Sequence, residues 1–197
     1  MSNVFAGNQF LYFSNAGIFH VKTRSMRKII LTVAVSLDGF IEGPNGEYDW
    51  CMTDQDYGLS DFFKRVDARF LGRKSYELSL AVADEIPAGF PEFQDYVFST
   101  TLDTVKNGAI LIKDNIKNEV EKIKAQEGKD IWLFGGASLT TSLINLGLVD
   151  EMWLAVHPIL LGAGKLLFQN IQGRIGLTLT DVKSYSTGLV SLIYTLQ

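Results

Sequence analysis

Two adjacent glycines, Gly135 and Gly136, stand between a strand-like stretch (130–134) and a stretch with a helical pattern (137–146). A strand that ends in glycines lets the backbone pass close to a ligand, and the following helix presents unpaired N–H groups and a partial positive charge. This combination favours a phosphate or diphosphate group. The alternative is a tight turn in which Ser138 caps the helix, and the two interpretations weigh equally because the complete G-x-G-x-x-G pattern is absent.

The segment 72–75, Gly-Arg-Lys-Ser, is a second junction between a predicted strand and a predicted helix. Two cations at a helix N-terminus oppose the helix dipole, and a bound anion would remove that conflict. The alternative is a solvated, charged turn. Ser99 and Thr100 follow the next predicted strand and are a weak signal alone, because Ser and Thr are common in turns.

These three junctions share one property, since each directly follows a predicted strand. In an open α/β sheet, ligands bind outside the carboxyl ends of the strands. The three junctions are therefore expected to face one elongated ligand, and a dinucleotide with several phosphates fits that expectation better than any single motif does.

Acidic residues that follow the first predicted strand are the candidates for proton chemistry: Asp38, Glu42, Asp49, Asp54 and Asp56. Asp38 ranks first, because it ends a buried strand at the expected ligand edge, where desolvation would raise its pKa. Asp54 ranks second, near Trp50 at the start of a predicted helix, and its alternative role is a helix N-cap. His157 is interpreted as structural. With two distant histidines and one cysteine, we expect no metal site.

The elements that must position these residues follow from hydrophobic periodicity and turn residues. Strands are predicted over 28–37, 68–71, 96–98, 109–112, 130–134, 151–159, 177–184 and 189–196. Helices are predicted over 54–66, 73–83, 116–126 and 137–146. Alternating strands and helices, followed by an all-strand C-terminal third, predict an α/β fold with a mostly parallel sheet and an antiparallel C-terminal hairpin.

The composition is that of a globular protein, with 47% hydrophobic and 20% charged residues among 197 and a net charge of −4. No broad basic surface for nucleic acid is expected. The apolar run 10–13 is far shorter than the roughly 20 residues that span a bilayer, so we expect no membrane partner. A single cysteine, Cys51, fits a reducing, cytoplasmic location. We predict an N-terminal extension over 1–25 and one domain over 26–197.

Several of these segments together resemble the dihydrofolate reductase-like superfamily, and most of all the reductase domain of riboflavin-biosynthesis enzymes and its stand-alone bacterial relatives. The segments are VAVSLDGFI at 33–41, FLGRKSYE at 70–77, LFGGA at 133–137, LVDE at 148–151 and HPILLGAG at 157–164. The resemblance covers essentially residues 26–197. It implies a three-layer α-β-α fold and hydride transfer from NADPH to a small pterin- or pyrimidine-like heterocycle.

The resemblance also implies which residues hold each part of the cofactor. The cofactor phosphates would contact Gly72, Arg73, Lys74 and Ser75. The adenosine ribose and its 2′-phosphate would lie near Ser99 and Thr100. The diphosphate would be held by Gly135, Gly136, Ala137, Ser138 and Leu139. Asp38 and Trp50 would face nicotinamide and substrate, with Asp38 and Asp54 as candidate catalytic acids. Relatives often have a basic residue where this chain has Thr100, so NADH stays open beside NADPH. The sequence around Asp54 does not reproduce the folate-reductase pattern.

Three functions remain open from the sequence. The first is an NADPH-dependent reductase of a small heterocycle. The second is the 5-amino-6-(5-phosphoribosylamino)uracil reductase of riboflavin biosynthesis, whose phosphorylated substrate requires another cationic site, for which Lys165 and Arg174 are the candidates. The third is a nucleotide-binding protein of the same fold without turnover. A homodimer is expected because riboflavin-type relatives commonly pair.

Overall fold

The computed structural model describes residues 9–11, 21–23, 26–85, 87 and 89–197, with only the backbone described for the first two segments. Those two segments are β1 (Gln9–Leu11) and β2 (Val21–Thr23), which pair antiparallel in a two-stranded sheet separate from the main one. The sequence pattern did not predict this hairpin. The rest of the predicted N-terminal extension lies outside the described residues, and the domain boundaries stay a prediction.

From residue 26 onward, strands and helices alternate as the hydrophobic pattern predicts. The strands are β3 (Ile29–Ser36), β4 (Phe40–Glu42), β5 (Val66–Gly72), β6 (Gln94–Phe98), β7 (Ile110–Ile112), β8 (Asp130–Gly135), β9 (Glu151–His157), β10 (Lys165–Leu166), β11 (Leu177–Ser184) and β12 (Val190–Leu196). The helices are α1 (Leu59–Arg65), α2 (Arg73–Ala81), α3 (Ile116–Lys124) and α4 (Ala137–Asn145), with a 3₁₀ turn at Ala83–Glu85.

Eight strands form the main sheet in the order β11-β12-β9-β3-β8-β5-β6-β7. The six strands from β9 to β7 run parallel to one another. At one end of the sheet, β12 pairs antiparallel with β9, and β11 pairs antiparallel with β12. This confirms the predicted fold class, a mostly parallel α/β sheet with an antiparallel C-terminal hairpin.

Helices pack on both faces of the sheet because the side chains of β8 alternate between two apolar layers. Leu133 points into the larger core, where it meets Val120 of α3 and Leu143 of α4. Trp132 points to the opposite face and packs with Phe62 of α1. All five of these side chains are buried, so each face of the sheet is covered by its own helices.

The register aligns the carboxyl ends of the parallel strands at one edge. Gly72, the last residue of β5, pairs with Phe98 of β6, which pairs in turn with Ile112 of β7. On the other side, Ser36 of β3 pairs with His157 of β9. Every loop that follows a parallel strand therefore emerges at this edge, which is where an α/β sheet binds ligands.

Two local features differ from the prediction. Helix α1 begins at Leu59 and not at residue 54, because Tyr57 and Gly58 adopt positive φ and the Asp56 carboxylate accepts hydrogen bonds from the N–H groups of Gly58 and Ser60. The interpretation of Asp54 as the helix cap is therefore wrong: Gly58 is the N-cap residue of α1, and the Asp56 carboxylate binds backbone N–H groups just before and within its first turn. The sequence pattern also missed the short antiparallel pair of β4 and β10.

No helix among the described residues is long and apolar enough to cross a membrane.

A charge network around the buried Glu151 carboxylate stabilises the opposite edge of the sheet. The Glu151 carboxylate accepts hydrogen bonds from Lys28 Nζ at 2.6 Å, Arg65 Nη2 at 3.2 Å and Trp153 Nε1 at 3.3 Å. Burial by itself would raise the pKa of Glu151, but the hydrogen bond from Lys28 and the charge of Arg65 outweigh burial and hold the pKa below its usual value of 4.5.

This network predicts an acid-dependent loss of stability. A carboxyl group whose pKa is lower in the folded than in the unfolded state stabilises the fold above its unfolded pKa and loses that contribution as pH falls through the folded pKa. We expect Glu151→Gln to lower the free energy of unfolding by about 2 kcal/mol at pH 7 and to flatten its decline between about pH 5 and pH 3. Urea titrations at several pH values measure both effects. Glu121→Gln, an exposed site on α3, is the control and should change neither.

Candidate functional site

A cleft of about 660 Å³ opens at the carboxyl edge of the parallel strands. Most residues that the sequence assigned to a cofactor line it: Gly72, Arg73, Lys74, Ser75, Ser99, Thr100, Gly136, Ala137, Ser138 and Leu139. Gly135 does not line the cleft and lies buried at the end of β8, directly before Gly136. The fold thus brings together three junctions that are far apart in the sequence.

Two helix N-termini point into this cleft. Helix α2 starts after Gly72 and helix α4 after Gly136, and neither glycine has a side chain that could cap the first turn. Neither helix carries an acidic residue in its first turn. The unpaired N–H groups and the positive ends of both dipoles therefore favour an anion between them. The interpretation of Ser138 as a cap is wrong, because its side chain forms no capping hydrogen bond.

The glycine turn between β8 and α4 keeps its backbone accessible. Gly135 has a φ of +103°, a conformation that residues with a side chain rarely adopt, and the Gly135–Gly136 peptide bond is cis. At Gly136 an added Cβ would lie 3.5 Å from Ser75 Oγ and 3.6 Å from Lys165 Nζ. The open side of Gly136 therefore faces the space between a hydroxyl group and an ammonium group.

Four cations line the cleft, and carboxylates hold three of them. Both Glu77 carboxylate oxygens lie 3.0 Å from Arg73 Nη1. Lys113 Nζ lies 3.2 Å from the exposed Asp103, and Lys165 Nζ lies 3.0 Å from Glu42. Lys74, the fourth cation, is exposed and forms no ion pair within the described part of the chain. Because these pairs are partly exposed, a phosphate group can replace the carboxylates at little cost.

The structure adds residues that the sequence did not assign to the cofactor. Lys113 follows β7 as Ser99 follows β6, and the Ser99 N–H donates to the Ile112 carbonyl, so the same strand-end rule would have found it. Glu42 of β4 and Lys165 of β10 are 123 residues apart in the sequence and meet only in the folded chain. Lys165, which the sequence suggested for a substrate phosphate, lines this cleft, whereas Arg174 is exposed in a later loop and does not line it.

Asp38 does not line the cleft and joins two loops above it. Its carboxylate accepts hydrogen bonds from Ser36 Oγ at 2.6 Å, the Leu161 N–H at 3.1 Å and the Gly162 N–H at 2.8 Å. The hydrogen bond from Ser36, with those from the two backbone groups, lowers the pKa of Asp38. The expectation of a raised pKa is therefore wrong, because these donors stabilise the carboxylate more than desolvation opposes it. A catalytic role for Asp38 stays a prediction, and its contacts favour positioning of the loops.

The two segments that Asp38 joins, 37–42 and 159–167, contact each other and contribute Glu42 and Lys165 to one end of the cleft; they are called the roof below. Strands β4 and β10 pair within it, and the Leu167 N–H donates to the Gly39 carbonyl. Gly164 packs so closely on this pair, at a φ of +137°, that an added Cβ would overlap the backbone oxygen of Glu42. The roof thus depends on glycine at this position.

Trp50 and His157 hold the segment that follows the roof. His157 is buried, its Nδ1 is 2.9 Å from the Ala155 carbonyl and its Nε2 accepts the Met52 N–H at 3.1 Å. This confirms the structural interpretation of His157. The Trp50 indole is half-buried and packs edge-on against the His157 imidazole, with ring centroids 5.3 Å apart. Trp50 does not line the cleft, and its contact with substrate stays a prediction.

Asp54 lies away from the cleft on an exposed turn. Its carboxylate accepts the Tyr57 hydroxyl at 2.6 Å, and the same hydroxyl lies 3.1 Å from Thr187 Oγ1. These contacts tie the turn to the loop between β11 and β12. The structure therefore does not bring Asp54 to the predicted cofactor site, and a catalytic role for Asp54 stays a prediction.

The tight contact at Gly164 can be tested with two alanine variants. Gly164→Ala adds both left-handed strain and an overlap with Glu42, whereas Gly162→Ala, at a φ of +73°, adds the strain without any neighbour within 4 Å. We expect losses of about 3 and about 1 kcal/mol in the free energy of unfolding, respectively. Urea denaturation measures both, and equal losses would contradict the packing described for the roof.

The chain matches the RibD C-terminal domain family over residues 27–191. It is 48% identical over 177 residues to YyaP, an uncharacterised protein of Bacillus subtilis (strain 168), and the match covers 85% of this chain and 94% of YyaP. In fold it is similar to a protein from Shewanella sp. PV-4 assigned to riboflavin biosynthesis, with a TM-score of 0.74, 24% identity and coverage of 86% of this chain and 99% of that one.

The fold is also similar to dihydrofolate reductase from Enterococcus faecalis, solved in complex with NADP(H) and RAB-propyl. That comparison has a TM-score of 0.62 and 14% identity and covers 86% of this chain and 96% of the reductase. The resemblance predicted from the sequence is confirmed: the protein belongs to the RibD C-terminal domain family and has a dihydrofolate reductase-like fold.

Proposed function

We propose that the protein is an NADPH-dependent reductase that transfers a hydride to a small heterocyclic substrate. The observation that carries this proposal is the cleft, in which two uncapped helix N-termini and several cations meet at the carboxyl edge of the sheet. Membership of a reductase-like family supports it, as does the similarity in fold to a reductase solved with NADP(H).

The residues of the cleft fit a nicotinamide dinucleotide. Backbone N–H groups at the starts of α2 and α4 provide donors for phosphates, and Gly136 leaves the space between Ser75 and Lys165 free of side chain. When bound, NADPH supplies the hydride. The chain's own residues hold the dinucleotide in one orientation at the strand ends, and such positioning is the main contribution of a protein to cofactor chemistry.

Lys113 supports a preference for NADPH over NADH. Ser99 Oγ accepts hydrogen bonds from the N–H groups of Thr101 and Leu102, and residues 99–102 include no basic side chain that could bind a 2′-phosphate. Lys113 lines the cleft beside Ser99, because Phe98 and Ile112 are cross-strand partners. We infer that Lys113 supplies the positive charge that relatives place after the serine.

A second candidate is the reduction of 5-amino-6-(5-phosphoribosylamino)uracil, which membership of the RibD C-terminal domain family favours. Its phosphate requires a cation outside the cofactor cleft, and Lys165 does not meet that requirement. Turnover of this compound with NADPH would establish it. Tight NADPH binding without oxidation by pterins or pyrimidines would favour the third function, nucleotide binding alone.

Graded substitutions at Gly136 test the proposed cofactor site. Its φ of −78° suits any residue, and an alanine Cβ would make only ordinary contacts with Ser75 and Lys165. A valine would extend further into the same space. We expect NADPH to raise the melting temperature of the wild type and of Gly136→Ala, and not that of Gly136→Val, while all three melt at similar temperatures without ligand. No shift of the wild type at millimolar NADPH or NADH would overturn the proposal.

We also propose that a second copy of the chain covers the apolar face of the C-terminal hairpin. Leu177, Leu179 and Val182 of the edge strand β11 are 44–55% exposed and, by register, share one face with Leu192 and Tyr194 of β12. Charged residues of β11 pair with the other face of β12, so this face suits an identical apolar surface rather than a charged partner.

Matched lysine substitutions on β11 test the dimer. Leu179→Lys places a charge on the apolar face, and Thr178→Lys places the same charge on the opposite face of the same strand. Light scattering after size-exclusion chromatography should show a dimer for the wild type and Thr178→Lys and a monomer for Leu179→Lys. A monomeric wild type would overturn the proposal.

We further propose a cytoplasmic location. The single cysteine, Cys51, is free, as is typical of a reducing compartment.

A further inference from the structure

Glu42 is an acidic residue in a cleft that otherwise suits a polyanion. Its side chain is 37% exposed, and Oε1 lies 3.0 Å from Nζ of Lys165, which is 34% exposed. Both residues line the cleft. A carboxylate beside a diphosphate is unfavourable unless a cation separates the charges, so this pair needs an explanation beyond stability.

The ammonium group of Lys165 lies beside the position that an anion bound at the start of α4 would occupy. Its ammonium group is 3.6 Å from the position of an added Gly136 Cβ, and Ser75 Oγ is 3.5 Å from the same point. The ammonium group, the hydroxyl group of α2 and the uncapped N-terminus of α4 thus surround one small volume. A phosphate oxygen placed there would meet donors from three separate parts of the chain.

The backbone holds Lys165 and Glu42 side by side, because the two residues are cross-strand partners in the β4–β10 pair. Gly164 packs against the Glu42 backbone at the same point. The strand pairing by itself therefore keeps the two side chains adjacent, and an ion pair exposed to this extent contributes little stability. Lys165 can exchange its carboxylate for a phosphate without any change in the backbone.

We propose that Lys165 binds the cofactor diphosphate together with the N-terminus of α4 and the Ser75 hydroxyl. Glu42 pairs with Lys165 in the free protein, and the cofactor displaces it. The inference rests on the proposed function, since it names residues that hold the same dinucleotide. Lys165 binds the diphosphate common to NADPH and NADH. Glu42 competes for Lys165 and weakens the binding of both cofactors equally, which favours their release.

Affinities for three probes test the inference: NADPH, NADH and inorganic pyrophosphate, measured by calorimetry on the full chain. We expect Lys165→Met to weaken all three by about tenfold or more, as for loss of a charge-assisted hydrogen bond. Lys165→Arg should retain most of the affinity. Glu42→Gln should strengthen the binding of NADPH and NADH about threefold, and a merely structural role for Glu42 would not increase affinity. Lys113→Met is the control and should weaken NADPH alone.

The outcomes separate this inference from the proposed function. The role of Lys165 is overturned if Lys165→Met binds all three probes with affinities within twofold of the wild type, or if its affinity falls for NADPH alone. Weaker binding by Glu42→Gln overturns the role of Glu42 as a competitor. If Lys165→Met does not fold, Glu42→Gln and Lys165→Arg decide the question. A wild type that binds pyrophosphate through Lys165 but neither cofactor supports the anion site and overturns the proposed function.

Discussion

The alignment of the parallel strand ends is the constraint on which the site depends. Because Gly72, Phe98 and Ile112 are cross-strand neighbours, the loops after three strands meet at one edge, and α2 starts there. Helix α4 starts at the same edge after Gly136, and neither helix supplies a side-chain cap. A single backbone arrangement thus places two helix N-termini without side-chain caps in one cleft, where their N–H groups favour an anion.

The roof over the cleft depends on a different kind of interaction, in which backbone groups of two distant loops bind each other. Asp38 contributes through its carboxylate, which accepts N–H groups of the second loop; the hydrogen bond from Ser36, together with these N–H groups, lowers its pKa. A group held in this way is a poor proton donor near neutral pH. The contacts of Asp38 favour a role in positioning the two loops, and a catalytic role for Asp38 stays a prediction.

Cations in the cleft share a further property, since carboxylates of the same chain occupy most of them. Arg73 is held by Glu77, Lys113 by Asp103 and Lys165 by Glu42. These pairs keep the long side chains near the cleft in the free protein, and their partial exposure makes them exchangeable. The net charge of −4 is consistent with such internal compensation, because a cationic pocket needs only a few placed residues.

The sequence by itself determined the parts of this protein that local chemistry dictates. Strand and helix types followed from hydrophobic period, and Gly136, Ser75 and Ser99 were identified because each follows a strand. Only the tertiary structure decided what distant segments do together. Contacts between segments more than 100 residues apart brought the Leu161 and Gly162 N–H groups to Asp38, where they add to the local hydrogen bond from Ser36 in lowering its pKa. Such contacts also placed Lys165 in the cleft beside Glu42 and tied Tyr57, which binds Asp54, to Thr187. No periodicity reports such contacts, because they depend on which loops the sheet register brings to one edge.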